Sequence, residues 1–552
     1  MITARLSEIV DTALRTAARD GLLPADEVPE AVFERPRKRE HGDWATNVAL
    51  VAGRGRGNPR SFAEAIIERL PDTDLIERVE VAGPGFLNFH LSPSWLHDVV
   101  SRAADTTVPF ARSSEGKGQR VNVEYVSANP TGPINVVSGR HAAVGDAIAN
   151  LFEASGHEVV REYYANDAGR QTLLFAQSVA ARYLESFGVE ASLPEDGYKG
   201  DYIADIAADI AEEIGDSLVE VDDDQRVEKI RSLAVERMLE SIKASLAAFG
   251  TTYDVWFSEK RFHDDKEVEA ALDALRSDGL LEERDGALWF LSSRFGDDKD
   301  RVVVRANGEP TYLASDLAYI RDKFRRGFDR VLYLWGADHH GMIPRLHAAA
   351  EAFKIDRARV EVEIVQIVTL SQGGESLKAS KRAGVIVPLD ELVQEVGADA
   401  TRYTFLTRSI ESSLDFDVDL VKEQAPENPV YYVQYAHARI CSILRKAADS
   451  GADIEPQEPA LARLVEPAED TLMRKLASYE EVVPDAARMR SPQRITRFVE
   501  ELAADFSAFY RDCRVVSEDQ ELTGARIALC RATKRVIADG LGLVGVSAPE
   551  RM

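Results

Sequence analysis

Two lysines frame a serine at Lys378-Ala379-Ser380-Lys381, followed by Arg382, on a stretch flanked by Gly373, Gly374 and Gly384. Paired ammonium groups on such a loop suit a triphosphate, because they neutralise charge building on a pyrophosphate leaving group. A polar turn at Ser127–Pro133 leads into Asn135-Val136-Val137-Ser138. Its amide and hydroxyl can donate hydrogen bonds without carrying charge, and Ser138 is placed to cap a helix. Acidic groups stand at Glu124, where a strand ends, and at Asp316, four residues after Tyr312 and so on the same helical face. Asp338-His339-His340 could serve metal-dependent phosphoester chemistry, but the partnering aspartate motifs are missing from the start of the chain. Gly540–Gly545 satisfies GxGxxG, yet no strand leads into it and too few residues follow, so it reads as a helix end and turn. His41 and His437 lack partners and read as structural.

These groups need elements to hold them. Val121, Val123 and Tyr125 alternate as a strand. Ala143, Ala147 and Leu151, with Val144 and Ile148, make a helical face that stops at Gly156. Val159 and Val160 begin a second strand, which ends in Tyr163, Tyr164, Asn166 and Asp167. Strand, loop, helix, strand is a βαβ unit. Its loop sets backbone N–H groups and a helix N-terminus at the carboxyl end of the first strand, where open α/β sheets bind phosphorylated ligands. A helical insertion follows over about 172–255, then a strand or hairpin at Gly286–Phe290 and another strand at 302–305. An apolar strand, VLYLW, opens into Gly336, and Val360–Leu370 reads as one further strand. From about residue 400 dense apolar faces at 3.6 spacing predict helices, notably in 427–447 and 494–515.

The expected class is therefore α/β: a Rossmann-like domain over 118–400, a small α+β domain over 1–110 and an all-α domain over 401–552. An amphipathic helix carrying Leu6, Ile9, Val10, Ala13, Leu14 and Ala17 opens the first domain, and polar residues 104–118 link it to the second. The formal charge of −27 speaks against a generic nucleic-acid binder. Brief handling of RNA needs only local basic surface, such as the run from Arg35 to Arg39. No apolar run approaches the ~20 residues of a membrane span, and the first residues lack the pattern of a signal peptide. The three cysteines lie far apart with no CxxC pair, which argues for a reducing compartment, against a zinc site, and for a cytoplasmic protein.

SANPTGP at 127–133, GR and AAVGDA at 139–147, and REYYANDAGRQ at 161–171 resemble the signature of the arginyl-tRNA synthetases, a class I aminoacyl-tRNA synthetase family. ERP at 34–36, HGDWATNVAL at 41–50, AGPGFLNFHLS at 82–92, YKGDY at 198–202, YDVWFSE at 253–259 and the closing GLGLVGVSAPERM resemble it too. Lys378-Ala379-Ser380-Lys381 is similar to the family's Lys-Met-Ser-Lys loop with one change. The chain departs at 135–138, where the family's His-x-Gly-His is replaced and both histidines and the glycine are gone.

The resemblance implies activation of L-arginine with ATP, assisted by Mg²⁺, and transfer to the terminal adenosine of tRNA(Arg) by a monomer. Its nucleotide site would comprise Pro130, Gly132, Asn135, Val137, Ser138, Gly336, Asp338, His339, Lys378, Ser380 and Lys381. Lys378, Lys381, Asn135 and Ser138 would act on the phosphates; Val137 adds bulk where glycine gave none, so adenine must shift outward. Arginine would be held by Glu124, Ser127, Asn129, Tyr312, Asp316 and His340. tRNA would meet Arg35, Arg37, Lys38 and Arg39 at one end, and Tyr431, Tyr435 and Arg439 at the other. Competing expectations are a non-catalytic relative that binds tRNA or arginine, and an enzyme that passes activated arginine to another acceptor.

Overall fold

The structure, a computed structural model, describes residues 2–24, 28–54, 58–377, 387–455 and 460–552. The lysine-bearing stretch from Lys378 to Arg382 therefore lies outside the described residues.

Five parallel strands form the central sheet: β1 (Arg120–Glu124), β2 (Glu158–Ala165), β3 (Val255–Ser258), β4 (Arg330–Gly336) and β5 (Val360–Val365), in the spatial order β5-β4-β1-β2-β3. The order reverses between β1 and β4, so the crevice at their carboxyl ends is the switch point where such sheets bind ligands. Helix α1 (Val136–Ala154) connects β1 to β2, and α2 (Tyr312–Arg325) precedes β4. Helix α1 is buried along most of its length because it lies against the sheet. A Cβ on Gly145 would stand 2.2 Å from the Tyr125 ring, so only glycine allows that approach.

Three helices, Gly169–Ser186, Asp201–Ile214 and Asp223–Ala248, make up the expected insertion. The predicted hairpin is a three-stranded antiparallel sheet, Leu281–Arg284, Ala287–Phe290 and Arg301–Val304. The single strand expected at Val360–Leu370 is two. β5 ends at Val365, and Val368–Gln372 joins a different sheet, beside Leu414–Asp417. Arg140 explains the break. This fully buried guanidinium hydrogen-bonds the carbonyls of Gln366, Ile367, Ser409 and Ser412, so the Gln366 carbonyl turns from a ladder to a side chain while that of Ile367 also accepts from the Leu414 N–H at 3.1 Å. Burial without a carboxylate partner lowers its pKa to about 10.

Residues before the linker form a four-stranded antiparallel sheet with helices Ile2–Arg19, Pro59–Ile67 and Ser94–Ala104. Leu6, Val10, Ala13, Leu14 and Ala17 are buried as their spacing requires. The carboxyl-terminal part is built on α3 (Pro429–Asp449), α4 (Pro467–Arg488), α5 (Gln493–Asp512) and α6 (Gln520–Leu543). Helix α6 runs through Gly540 and ends before Gly545, at φ +69°, so the GxGxxG string is a helix end and turn. One apolar core is shared by the N-terminal unit, one face of the central sheet and the carboxyl-terminal helices, and a smaller core covers the other face. No described helix is long and apolar enough to cross a membrane.

Candidate active site

The turn after β1 is strained. Val126 has φ +69° and Ser127 φ +42°; a β-branched residue there is a true outlier, and such strain persists only where surroundings over-determine it. The surroundings are side chains from the other sequence motifs. Tyr163 donates its hydroxyl to the Ala128 carbonyl at 2.7 Å, and Tyr202, from the YKGDY stretch, donates to the Thr131 carbonyl at 2.9 Å. The Ser127 hydroxyl donates to Glu124 and accepts from the Tyr164 N–H at 3.1 Å, while Asn129 is held by Gln171.

Helix α1 begins one turn earlier than the sequence suggests. Its cap is Asn135, not Ser138: Asn135 Oδ1 accepts from the Ser138 N–H at 2.9 Å. Asparagine is among the best residues for that position, and Val136 and Val137 continue the helix without a special backbone. The Asn135 amide oxygen is thus committed, and its NH₂ remains the group able to donate. The segment leaving the lysine loop pairs with this same turn. Val136 N–H donates to the Val387 carbonyl, Leu389 N–H donates to the Ile134 carbonyl at 2.8 Å, and Asn135 bridges Pro388. Residues 387–389, which follow the lysine-bearing stretch in sequence, are thereby paired with the turn that opens α1.

Below the turn lies a cleft of ≈ 430 Å³ lined by Glu124, Ser127, Tyr312, Asp316, Gly336 and His339, all singled out from sequence. Asp338 and His340 are exposed and do not line it, and neither does Asn129. On the floor, Glu124 and Glu162 are buried but neutralised. Lys323, with no exposure at all, contacts Glu124 at 2.7 Å and Glu162 at 3.5 Å. Arg326 forks onto Glu162 at 2.6 and 2.9 Å, and the Tyr319 hydroxyl lies within hydrogen-bond reach of both carboxylates. Burial would raise the Glu162 pKa, but the Lys323 charge and the Arg326 contacts outweigh it and hold the group at about 2.

The wall differs. Asp316 has no hydrogen bond or ion pair among the described residues. Desolvation first, then the charges of Glu259 and Glu124, push its pKa up to about 7, with Arg345 offsetting part of the rise. Glu259, buried and 3.5 Å from His263, is also raised, chiefly by burial. Asp316 lines the cleft and Glu259, which does not, lies close enough behind it for their charges to interact, so this wall gains most from a bound cation. Sequence reading missed Glu259, Tyr319, Lys323, Arg345 and the buried, cleft-lining His141. A signal was present for two of them: Tyr312, Asp316, Tyr319 and Lys323 repeat at i, i+4, i+7, i+11 along one face of α2. No group of three or more His, Cys, Asp or Glu side chains among the described residues could hold a metal ion.

Two further surfaces involve the expected RNA-contacting residues. On α3, Tyr431 and Tyr435 stack at 5.9 Å and 9° between planes, and Arg439 lies over Tyr435 at 4.6 Å and over Tyr510 at 5.5 Å. Arg445, Lys446 and Arg551 line the same groove, and no acidic side chain among the described residues lines it. Basic and aromatic groups interleaved in this way suit stacked bases and their phosphates. In the N-terminal unit, Arg35 lies over Trp44 and forks onto Glu481 of α4, and Arg39 pairs with Asp470. These two arginines tie the unit to α4 while remaining partly open to solvent; Arg37 and Lys38 are also exposed, Lys38 lying 3.3 Å from Glu40.

Family models match in chain order. The arginyl tRNA synthetase N terminal domain matches residues 4–91, the catalytic domain of tRNA synthetases class I (R) matches 106–409, and the DALR anticodon binding domain matches 433–552. The chain is 48% identical over 551 residues to the arginine–tRNA ligase of Moorella thermoacetica, covering 99% of this chain and 98% of that one. It is 46% identical over 547 residues to that of Carboxydothermus hydrogenoformans, with the same two coverages. The arginyl-tRNA synthetase structure from Thermus thermophilus shares the fold at a TM-score of 0.76, with 24% identity and full coverage of both chains. Three models matched in order and a relative similar from end to end settle the family: the chain belongs to the arginyl-tRNA synthetases.

Proposed function

We propose that the chain is an arginine–tRNA ligase in which Asp316 and Glu259 receive the guanidinium of L-arginine and Glu124 and Tyr312 complete the pocket. One observation carries this assignment of residues: Asp316 sits in the cleft without a partner, its carboxyl raised to about 7. A planar, permanently charged guanidinium satisfies two carboxylates at once, as a single ammonium cannot. The substrate's carboxylate then attacks the α-phosphorus of ATP, forming arginyl-adenylate and breaking the bond to pyrophosphate. The terminal ribose hydroxyl of tRNA(Arg), the 2′ group in class I chemistry, next attacks the carbonyl carbon and AMP leaves. Lys378 and Lys381 stabilise the departing pyrophosphate. The free NH₂ of Asn135 and the Ser138 hydroxyl take the phosphate contacts that charged histidines would make, with Pro130, Gly132 and Val137 bordering the nucleotide. Mg²⁺ we place on the triphosphate itself. Activation awaits bound tRNA, which Arg37, Lys38 and the Tyr431–Tyr435–Arg439 groove engage. The working unit is a cytoplasmic monomer with domains over 1–110, 118–400 and 401–552.

Charging of tRNA specific for arginine, wild type beside Lys381→Ala, tests the assignment. Robust turnover that drops at least ~10²-fold in the variant is expected, since one preorganised transition-state donor is worth about that much. Tight tRNA binding with no turnover in the wild type would overturn it in favour of a non-catalytic binding protein.

A further inference from the structure

His141 stands in the cleft without a role in this reading. It lies on α1 within two turns of the Asn135 cap, is only 7% exposed, and lines the cavity beside Leu334, Gly336 and His339. Its ring lies beside the Leu334 backbone on β4, which favours an N–H on that side, so it faces the switch crevice between β1's following helix and β4. Burial, and then the charge of Arg140, lower its pKa to about 4, so the ring is neutral at physiological pH. A neutral imidazole carries one N–H and one lone pair. With the N–H turned toward the Leu334 carbonyl, the lone pair is what the ring offers the cleft. That excludes replacing the lost histidines, because a lone pair repels phosphate oxygens. It also disfavours the ammonium of the amino acid, which would enter beside the Arg140 charge rather than the carboxylates of the opposite wall. A neutral O–H donor fits, and the adenosine substrate carries two on its ribose. His141 sits five residues beyond Val136, about 7.5 Å along the helix axis, below the mouth where the adenine ring would rest.

We propose that His141 accepts a hydrogen bond from a ribose hydroxyl of the bound adenine nucleotide and so sets the preference for ribonucleotide over deoxyribonucleotide. The inference rests on the proposed nucleotide site. Calorimetric binding of ATP, 2′-deoxy-ATP and 3′-deoxy-ATP to the full chain tests it without relying on turnover. The wild type should bind one deoxy analogue roughly tenfold more weakly than ATP, the scale of a single hydrogen bond to a buried group. His141→Ala should bind all three alike, and His141→Gln, which keeps an acceptor, should recover part of the preference. A purely structural role would weaken all three equally and leave the ratio intact, which would overturn the proposal. So would an unchanged ratio accompanied by weaker arginine binding, the mark of an ammonium contact. Failure of tRNA charging with the nucleotide ratio behaving as stated would count against the proposed activity and leave the assignment of His141 standing.

Discussion

Floor and wall of the cleft hold the same chemical group in opposite states. On the floor, Glu124 and Glu162 share Lys323 and Tyr319, Arg326 adds a fork onto Glu162, and the Glu162 pKa falls to about 2. On the wall, Asp316 faces Glu259 with only Arg345 as partial relief, and its pKa rises to about 7. Both sites are desolvated, so burial alone does not separate scaffold from binding site. The difference is whether the chain supplies the counter-charge itself. Where it does, the carboxylates fix the ends of β1 and β2 to α2; where it does not, the proposed guanidinium would supply it.

The largest effect should come from breaking the floor. Lys323→Met leaves two carboxylates facing each other in the interior and should destabilise the protein by ~3–5 kcal/mol, the usual result of removing one partner of a buried pair. Thermal unfolding would show it; a melting temperature within a degree of wild type would mean the floor is not a closed ionic network. Asp316→Asn should do the reverse. Folding stability should hold or rise, while KM for arginine increases by ~2–4 kcal/mol, a typical loss for one side of a desolvated charge pair. A fall in stability with KM intact would place Asp316 with the scaffold.

The two carboxyls should also differ in pH response. Glu162 is depressed from an ordinary value of 4.5 to about 2, so its stabilisation is present above 4.5 and is lost as pH falls toward 2. Asp316 is raised from 3.8 to about 7, so its contribution to stability is full below 3.8 and disappears as pH rises through 7. Arginine needs the ionised form. Its KM should fall as pH rises toward 7, by at most about tenfold per unit, and level off above. Asp316→Asn should remove that slope; a slope that survives would trace to another group.

Outside the cleft, Tyr510→Ala should weaken tRNA binding by ~1–3 kcal/mol, the range for a base-stacking aromatic, with pyrophosphate exchange at saturating tRNA unchanged. Filter binding at fixed salt measures it. The smallest effect is expected at the cap: Asn135→Ala should cost ~1 kcal/mol of stability, as helix caps do, and a further loss in exchange rate would report the phosphate contact of its NH₂. Equal stability in the two proteins would show that the cap is dispensable.

The sequence by itself determined the kind of fold and most of its parts. Period-2 and period-3.6 patterns mark β1, α1, β2 and the carboxyl-terminal helices, because burying one face of an element constrains residues that are neighbours in the chain. Glu124, Ser127, Tyr312, Asp316, Gly336 and His339 were legible as site candidates, and the cleft gathers them. Tertiary structure decided what depends on residues distant in sequence. Arg140 ends β5 by taking carbonyls more than two hundred residues away, and no local pattern encodes such a contact. Asn135 rather than Ser138 caps α1, where the segment that bonds Ile134 and Val136 arrives from residues 387–389. Arg35 and Arg39 read as basic surface in the sequence, and only folding shows that each also pairs with an acidic group on α4. The pKa values of Glu162 and Asp316 carry the same lesson. A carboxylate's type is written in the chain, but its charge state is set by desolvation and by the partners that folding brings within reach.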